Sequence, residues 1–347
     1  MKNEESFSAN IFRPEDAPVV ANLFRAVYGE DYPVKIFYNE AELIAANNDG
    51  RYYTVIMRNS DGAPVGVVNL IQYAPFKGLY ECSSGLVLKE FRSQGVTTIG
   101  FRFLYDEFIP VRKNIEEIFG EPVCNHIYMQ KQQGVFNFIE TGIEPALMPA
   151  EAFAHENSSK GRVAVMDSFR CYVPKPHRVF IPEAYENFMR LIYFRLDDRR
   201  DIEISTEKIP HDKANRAETF TFDSARVSRL TVNEAGGDFE SVVSGFEVQA
   251  RAKNVVVFQV LLNLGEPWVG EAVEILRSLG YFFCSVLPRW FDKDGMLMEK
   301  LECPPDFDEI KLHSEFSREL LDFIRKDWER AQACHIVYPW IKHAPLI

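Results

Sequence analysis

The stretch Ser84-Gly-Leu-Val-Leu-Lys-Glu-Phe-Arg-Ser-Gln-Gly-Val-Thr-Thr98 limits what this chain can fold into more than any other. An apolar strand, Leu79 to Leu88, runs into a short polar turn, and a helix expected over Gln94 to Phe108 starts in that turn. Arg92, Gly95 and Thr97 stand at the spacing of an R/Q-x-x-G-x-G/A loop, a form suited to cradling a pyrophosphate. A helix N-terminus offers unpaired N–H groups and about half a positive charge, so phosphates are stabilised there without a metal. Gly95 lets the backbone approach a ligand closely because no Cβ intervenes, and Arg92 adds a planar charged donor.

Composition narrows the rest. A chain of 347 residues suits two domains of about 150 each. Its 46% hydrophobic and 26% charged residues are those of an ordinary globular protein. The polar start, Met-Lys-Asn-Glu-Glu-Ser, lacks the apolar run of a secretory signal, and no later stretch reads as a membrane span. Six cysteines lie far apart, at 82, 124, 171, 284, 303 and 334. That spacing argues against a disulfide framework and for reduced thiols in the cytoplasm. The seven histidines show neither H-E-x-x-H nor H-x-H spacing, so no metal site is expected. A net charge of −12 makes nucleic acid or an anionic membrane a poor partner. Against that background Lys89, Arg92 and Arg102, opposed by Glu90 alone between Val87 and Arg102, form a local positive spot fit for a phosphate-rich ligand.

Patterning predicts the order β, α, α, β, β, β, α, β, α up to residue 142, with a closing strand at Arg162–Tyr172. Strand Asn10–Phe12 precedes helices at Glu15–Tyr28 and Glu40–Ala46. A hairpin follows, Arg51–Arg58 and Pro64–Ile71 about the turn Asn59-Ser-Asp-Gly62. The strand Leu79–Leu88 and its loop lead to a strand expected at Pro122–Tyr128 and a short helix, Gly134–Thr141, ending at Gly142. This order, the loop, and the strand end Val87-Leu-Lys-Glu-Phe-Arg92 resemble the GNAT N-acetyltransferases. In that family the strand ends V-x-P-x-[YF]-R; here Lys89 replaces Pro and Thr97 replaces the usual Gly/Ala. Phe138-Ile-Glu-Thr-Gly142-Ile143 is similar to the family's late Tyr-x-x-x-Gly-Phe.

The resemblance implies an α/β (α+β) fold with a mixed, mostly antiparallel central sheet flanked by helices, over residues 1–173. A second α+β domain is expected over 178–347 beyond the joint Pro174-Lys-Pro176. Its strand 254–263, helix 268–279 and terminal Leu276-x-x-x-Gly280 repeat the end of the first half, which suggests a divergent GNAT-like copy. Its Gly236-Gly-Asp reads as a plain turn. A helix is expected over 310–332, and the aromatic tail Val337-Tyr-Pro-Trp-Ile341 is expected to pack on the protein or on a second subunit, in a possible homodimer.

What the resemblance implies for chemistry is acetyl transfer from acetyl-CoA to an amine by direct attack in a ternary complex, with a small-molecule or protein amine as acceptor. Leu86, Val87, Leu88, Arg92, Ser93, Gln94, Gly95, Val96, Thr97 and Thr98 would bind acetyl-CoA. Glu81 falls where some members keep a glutamate general base; a carboxylate there can take the proton of an attacking amine. Cys82, its neighbour, alternates to the opposite face and reads as a core thiol. The family's general-acid tyrosine is replaced by Phe138, which cannot donate a proton; Tyr105 and Tyr128 are substitutes. The empty acid position keeps a second reading open, a non-catalytic CoA-binding regulatory protein.

Overall fold

The computed structural model of the chain describes residues 6–30, 32–149 and 161–337. Contacts divide it into two units, Met1–Glu121 with Arg170–Val173, and Pro122–Phe169 with Pro174–Ile347. The Pro-marked joint expected after residue 173 is one of the points where the chain changes unit.

In unit 1 the chain forms β1 (Ser8–Ile11), α1 (Ala17–Tyr28), α2 (Glu40–Asn48), β2 (Tyr52–Arg58), β3 (Pro64–Ile71), β4 (Leu79–Val87), α3 (Val96–Arg102) and β5 (Glu117–Gly120). The sheet runs β1-β2-β3-β4-β5, antiparallel except that β4 and β5 are parallel. Asn59 closes the β2–β3 hairpin: its side chain accepts from the Ala63 N–H at 2.8 Å, and Gly62 takes φ +80°. Apolar residues of α1 spaced at one helical face, Val20, Leu23 and Phe24, pack with Ile56, Val67 and Leu86 into one core. Strand pairing fixes the two faces of the sheet. Tyr52, Thr54 and Ile56 oppose Ile71, Asn69 and Val67, which in turn oppose Glu81, Ser83 and Leu86. These residues therefore share the α1–α2 face, and Tyr53, Met57, Tyr80 and Cys82 share the face that α3 covers.

The helix after the turn begins at Val96, two residues later than predicted, and becomes a π-helical turn at Phe103–Phe108. The expected strand at Pro122–Tyr128 is a correction: the strand is Glu117–Gly120, and Pro122, without an N–H, starts an irregular segment touching β7 (Arg162–Cys171) through the single bridge Val123↔Val165.

Unit 2 holds α4 (Tyr128–Val135), β6 (Ile139–Pro149) and β7, then β8 (His177–Ile181), α5 (Glu186–Arg195), β9 (Arg200–Ile204), β10 (Arg216–Phe222), β11 (Val227–Glu234), α6 (Phe239–Arg251), β12 (Val257–Asn263), α7 (Val269–Ser278), β13 (Phe282–Leu287), β14 (Gly295–Leu301) and α8 (Glu315–Val337). Its large sheet runs β7-β6-β13-β14-β12-β11-β10, and β8 and β9 pair apart from it. The helix expected at Gly134–Thr141 is a second correction. It ends at Val135, because Asn137 takes the left-handed conformation at φ +58° and turns the chain into β6. Gly142 lies inside β6, where it opposes Ser285; a Cβ on Gly142 would come within 2.1 Å of that side chain.

The two ends of the chain's helix–strand joints match closely. Phe138 N–H donates to the Gln133 carbonyl and Asn137 N–H to Gly134; Tyr281 N–H donates to Leu276 and Gly280 N–H to Arg277. The starts of α3 and α6, the ends of β5 and β12, the ends of α4 and α7, Asn137 and Gly280, and Gly142 and Ser285 each lie 143 residues apart. The tail beyond Val337 lies outside the described residues. No described helix is long and apolar enough to cross a membrane.

Candidate active site

β4 delivers the chain to the turn. Leu88 N–H donates to the Val65 carbonyl at 2.9 Å, and a 3-10 turn at Lys89–Phe91 follows. Phe91 packs edge-on against Phe7, with ring centroids 6.2 Å apart. Ser93 at φ +62° and Gly95 at φ +84° then alternate with ordinary residues, and α3 begins on the buried Val96. Alternation of this kind aims successive N–H groups at one point, an anion-binding nest. Among the described residues, the N–H groups of Ser93, Gln94, Gly95, Val96 and Thr97 meet no acceptor; the first helical bond is Ile99 N–H to the Gly95 carbonyl. Arg92, Ser93, Gln94 and Gly95 are exposed. A Cβ on Gly95 would meet open space, so its glycine serves the left-handed backbone.

The ten residues expected to bind acetyl-CoA divide by role. Leu86 and Leu88 face the α1–α2 core, Val96 is buried, and Val87, Thr97 and Thr98 are half-buried. Arg92 folds its Nε back onto the Val87 carbonyl at 3.1 Å, which ties the guanidinium to the end of β4 while leaving it exposed. Gln94 donates to the Glu90 carbonyl at 2.7 Å.

Sequence alone missed what precedes it. The β3–β4 register slips by one residue between Val67↔Leu86 and Asn69↔Ser83, so β4 bulges at Ser84 and Gly85. Ser84 sits at φ +51°. Its carbonyl accepts from Asn69 Nδ2 at 3.0 Å and its hydroxyl from the Tyr32 phenol at 2.9 Å. On the other side β4 stays in register with β5 only from Leu79↔Glu117 to Glu81↔Phe119. The remainder of β4, from Cys82 to Val87, leads beyond that pairing to the turn.

Glu81 is half-buried on the α1–α2 face, at the last β5-paired position. Burial first, and the charge of Glu81 among the lesser causes, raise the phenol of Tyr32 above its ordinary value. Burial and then Glu81 do the same for Tyr52. Both phenols are therefore neutral donors beside a carboxylate. Tyr28 and Tyr32 lie with ring centroids 4.8 Å apart, extending the aromatic wall. Cys82 points to the opposite face as alternation requires; burial pushes its thiol up to about 12, and it accepts a 2.9 Å hydrogen bond from Tyr105. Tyr105 thus sits across the sheet from Glu81. Tyr128 opens α4 in unit 2 and is exposed. Phe138, expected at the family's tyrosine position, is buried just before β6; four residues before the left-handed Asn137 stands Gln133, which accepts from the Ser168 hydroxyl at 2.7 Å.

The corresponding turn of unit 2, between β11 and α6, is closed by its own chain. Gly236 N–H donates to Asn215 Oδ1 at 3.0 Å, Asn215 Nδ2 donates to Asp238, and a Cβ on Gly236 would come within 2.0 Å of the Lys213 carbonyl.

No protein-family model matches the chain, and no curated protein matches it. Solved structures similar to it include N-acetyltransferases. A RimL ribosomal L7/L12 α-N-protein acetyltransferase in complex with coenzyme A matches over 49% of this chain and 95% of its own, at 12% identity and a TM-score of 0.37. The spermidine/spermine N-acetyltransferase SpeG from Vibrio cholerae, in complex with manganese ions, matches over 48% and 92%, at 16% identity and a TM-score of 0.36. An acetyltransferase from Salmonella typhimurium that modifies the N-terminal serine of L7/L12 matches over 48% and 95%, at 10% identity and a TM-score of 0.37.

Proposed function

We propose that unit 1 binds acetyl-CoA and transfers its acetyl group to a primary amine. The observation that carries this reading is the turn at 93–97, whose five N–H groups find no acceptor among the described residues and which follows directly from a bulged strand. The pyrophosphate would lie on those N–H groups with Arg92 beside it, and the pantetheine arm along β4 from Val87 towards the bulge. The thioester would then reach Ser84–Gly85, four residues from Glu81. The amine loses a proton to Glu81, its lone pair attacks the carbonyl carbon, and the tetrahedral oxyanion is met by a backbone N–H of the bulge. The C–S bond then breaks and CoA departs as a thiolate, a tolerable leaving group with a thiol pKa of about 8.5. Unit 2 we read as holding a second copy of the same module, with its phosphate turn filled.

Calorimetry with acetyl-CoA tests the reading. One site per chain is expected, and Arg92→Ala with Gly95→Val should weaken binding at least tenfold, about 1.4 kcal/mol, in a folded protein. An unchanged affinity removes the cofactor assignment, and two sites per chain would contradict the filled turn. Thiol release in an amine screen separates acetyl transfer from binding alone.

A further inference from the structure

Three polar residues, Asn47, Thr54 and Asn69, lead to the β4 bulge in a fixed order of donors and acceptors. Asn47 Nδ2 donates to the Leu43 carbonyl at 3.0 Å and to Thr54 Oγ1 at 3.3 Å, and Asn47 Oδ1 accepts from the Thr54 N–H at 3.0 Å. The one hydroxyl proton of Thr54 goes to Asn69 Oδ1 at 2.7 Å, so Nδ2 is the end of Asn69 that meets the Ser84 carbonyl at 3.0 Å. Thr54 and Asn69 are both fully buried. An amide buried in a β-branched strand, Val67-Val-Asn69-Leu-Ile71, is costly unless it satisfies a group that needs it. That group is the Ser84 carbonyl, which the bulge removes from the ladder.

The direction of this bond fixes a second one. Every peptide in the chain's described residues is trans, so the Ser84 carbonyl and the Gly85 N–H point in opposite directions within their shared peptide plane. With the carbonyl turned to Asn69 on β3, the Gly85 N–H is turned away from β3. On that side β5 has already left the register, and Gly85 is exposed and belongs to no strand pair. We propose, resting on the acetyl-transfer reading above, that Asn69 is a positioning residue which holds the Gly85 N–H on the thioester carbonyl oxygen, with Thr54 fixing the orientation of its amide.

Asn69→Asp tests this, since it keeps the shape and exchanges the donor for an acceptor. The phosphate turn is anchored separately at Leu88 and Phe91, so acetyl-CoA affinity should stay within about threefold. Turnover should fall about 100-fold, the loss typical of one oxyanion donor. The infrared carbonyl stretch of bound acetyl-CoA, lowered in the unaltered protein by the N–H, should return towards its solution position. As pH falls the buried acid protonates and can donate to Ser84 again, so the ratio of variant to parent rate should rise. Thr54→Val, which keeps the β-branched shape, should act in the same direction by about tenfold, and covers the case in which the aspartate variant does not fold. Failure of the unaltered protein to bind acetyl-CoA would remove the transfer reading and this inference together. Binding by the unaltered protein with the carbonyl stretch at its solution position would remove the inference alone. Lost affinity in the variants with an unmoved carbonyl stretch would reduce Asn69 to a structural residue.

Discussion

The β4–α3 turn of unit 1 and the β11–α6 turn of unit 2 solve the same local problem in opposite ways. Each joins a strand, parallel to its neighbour, to a helix whose first N–H groups need acceptors. Unit 1 spends eight residues between Val87 and Val96, lifts two of them into the left-handed region, and leaves the donors facing outward. Unit 2 spends four between Glu234 and Phe239 and takes an acceptor from the segment before β10 through Asn215. The carboxylate differs as well. Glu81 pairs with Phe119, and the residue pairing with Leu262, 143 positions on from Phe119, is Val232. A helix start becomes a ligand site only where the chain declines to cap it.

The largest effect that could break this contrast is at Glu81. Glu81→Gln keeps the shape but cannot accept a proton, so turnover should fall roughly 10²–10⁴-fold with acetyl-CoA affinity nearly intact. Much of that loss should be recovered at high pH, where more of the amine is already neutral. Parallel pH–rate profiles for variant and parent would end the assignment of a base.

Next in size is the close contact between Gly142 and Ser285. Gly142→Ala forces a methyl against Ser285 and should cost about 1–3 kcal/mol in denaturant unfolding. Adding Ser285→Gly should return most of it. No recovery would mean that the pair is not the point of close approach.

Asn215→Ala sharpens the comparison from the other side. It removes the acceptor for Gly236 N–H and should cost about 1 kcal/mol, while calorimetry still finds one acetyl-CoA per chain. The appearance of a second site would show that Asn215 alone had closed the unit 2 turn. The smallest expected change is Tyr32→Phe, which loses the bond to the Ser84 hydroxyl and about 0.5–1.5 kcal/mol of stability, with a turnover change of a few fold. A loss as large as that of Glu81→Gln would instead make the Tyr32 phenol a participant in the reaction.

The elements of unit 1 were legible because their signals are local. Alternation in β2 and β3, the Asn59–Gly62 turn, and the polar break after Val87 each fall within a few residues. The same holds for the strand and helix over β12 and α7. The reading failed where a tertiary partner overrides local preference. Gly142 invited a helix cap, yet its small size answers the approach of Ser285, while the cap is Asn137, a residue that tolerates the left-handed region. The Ser84 bulge had one visible trace, an asparagine inside an apolar strand, whose meaning needs its partners to be seen. The stretch from β9 to α6 went unread although Phe239, Val243, Phe246 and Ala250 do carry a helical period; β10 is exposed over most of its length and gives little alternation to find.

The pairing of Gly142 with Ser285 joins two strands at residues that share the 143-residue spacing of the other matched points. A contact between like positions has the form of a two-fold association, which separate molecules would make only as far as their concentration allowed. Tethered in one chain, it is formed at an effective concentration set by the linker, and a strand edge that could recruit strangers is sealed. On the two-copy reading proposed above, each copy is then free to change without losing its partner.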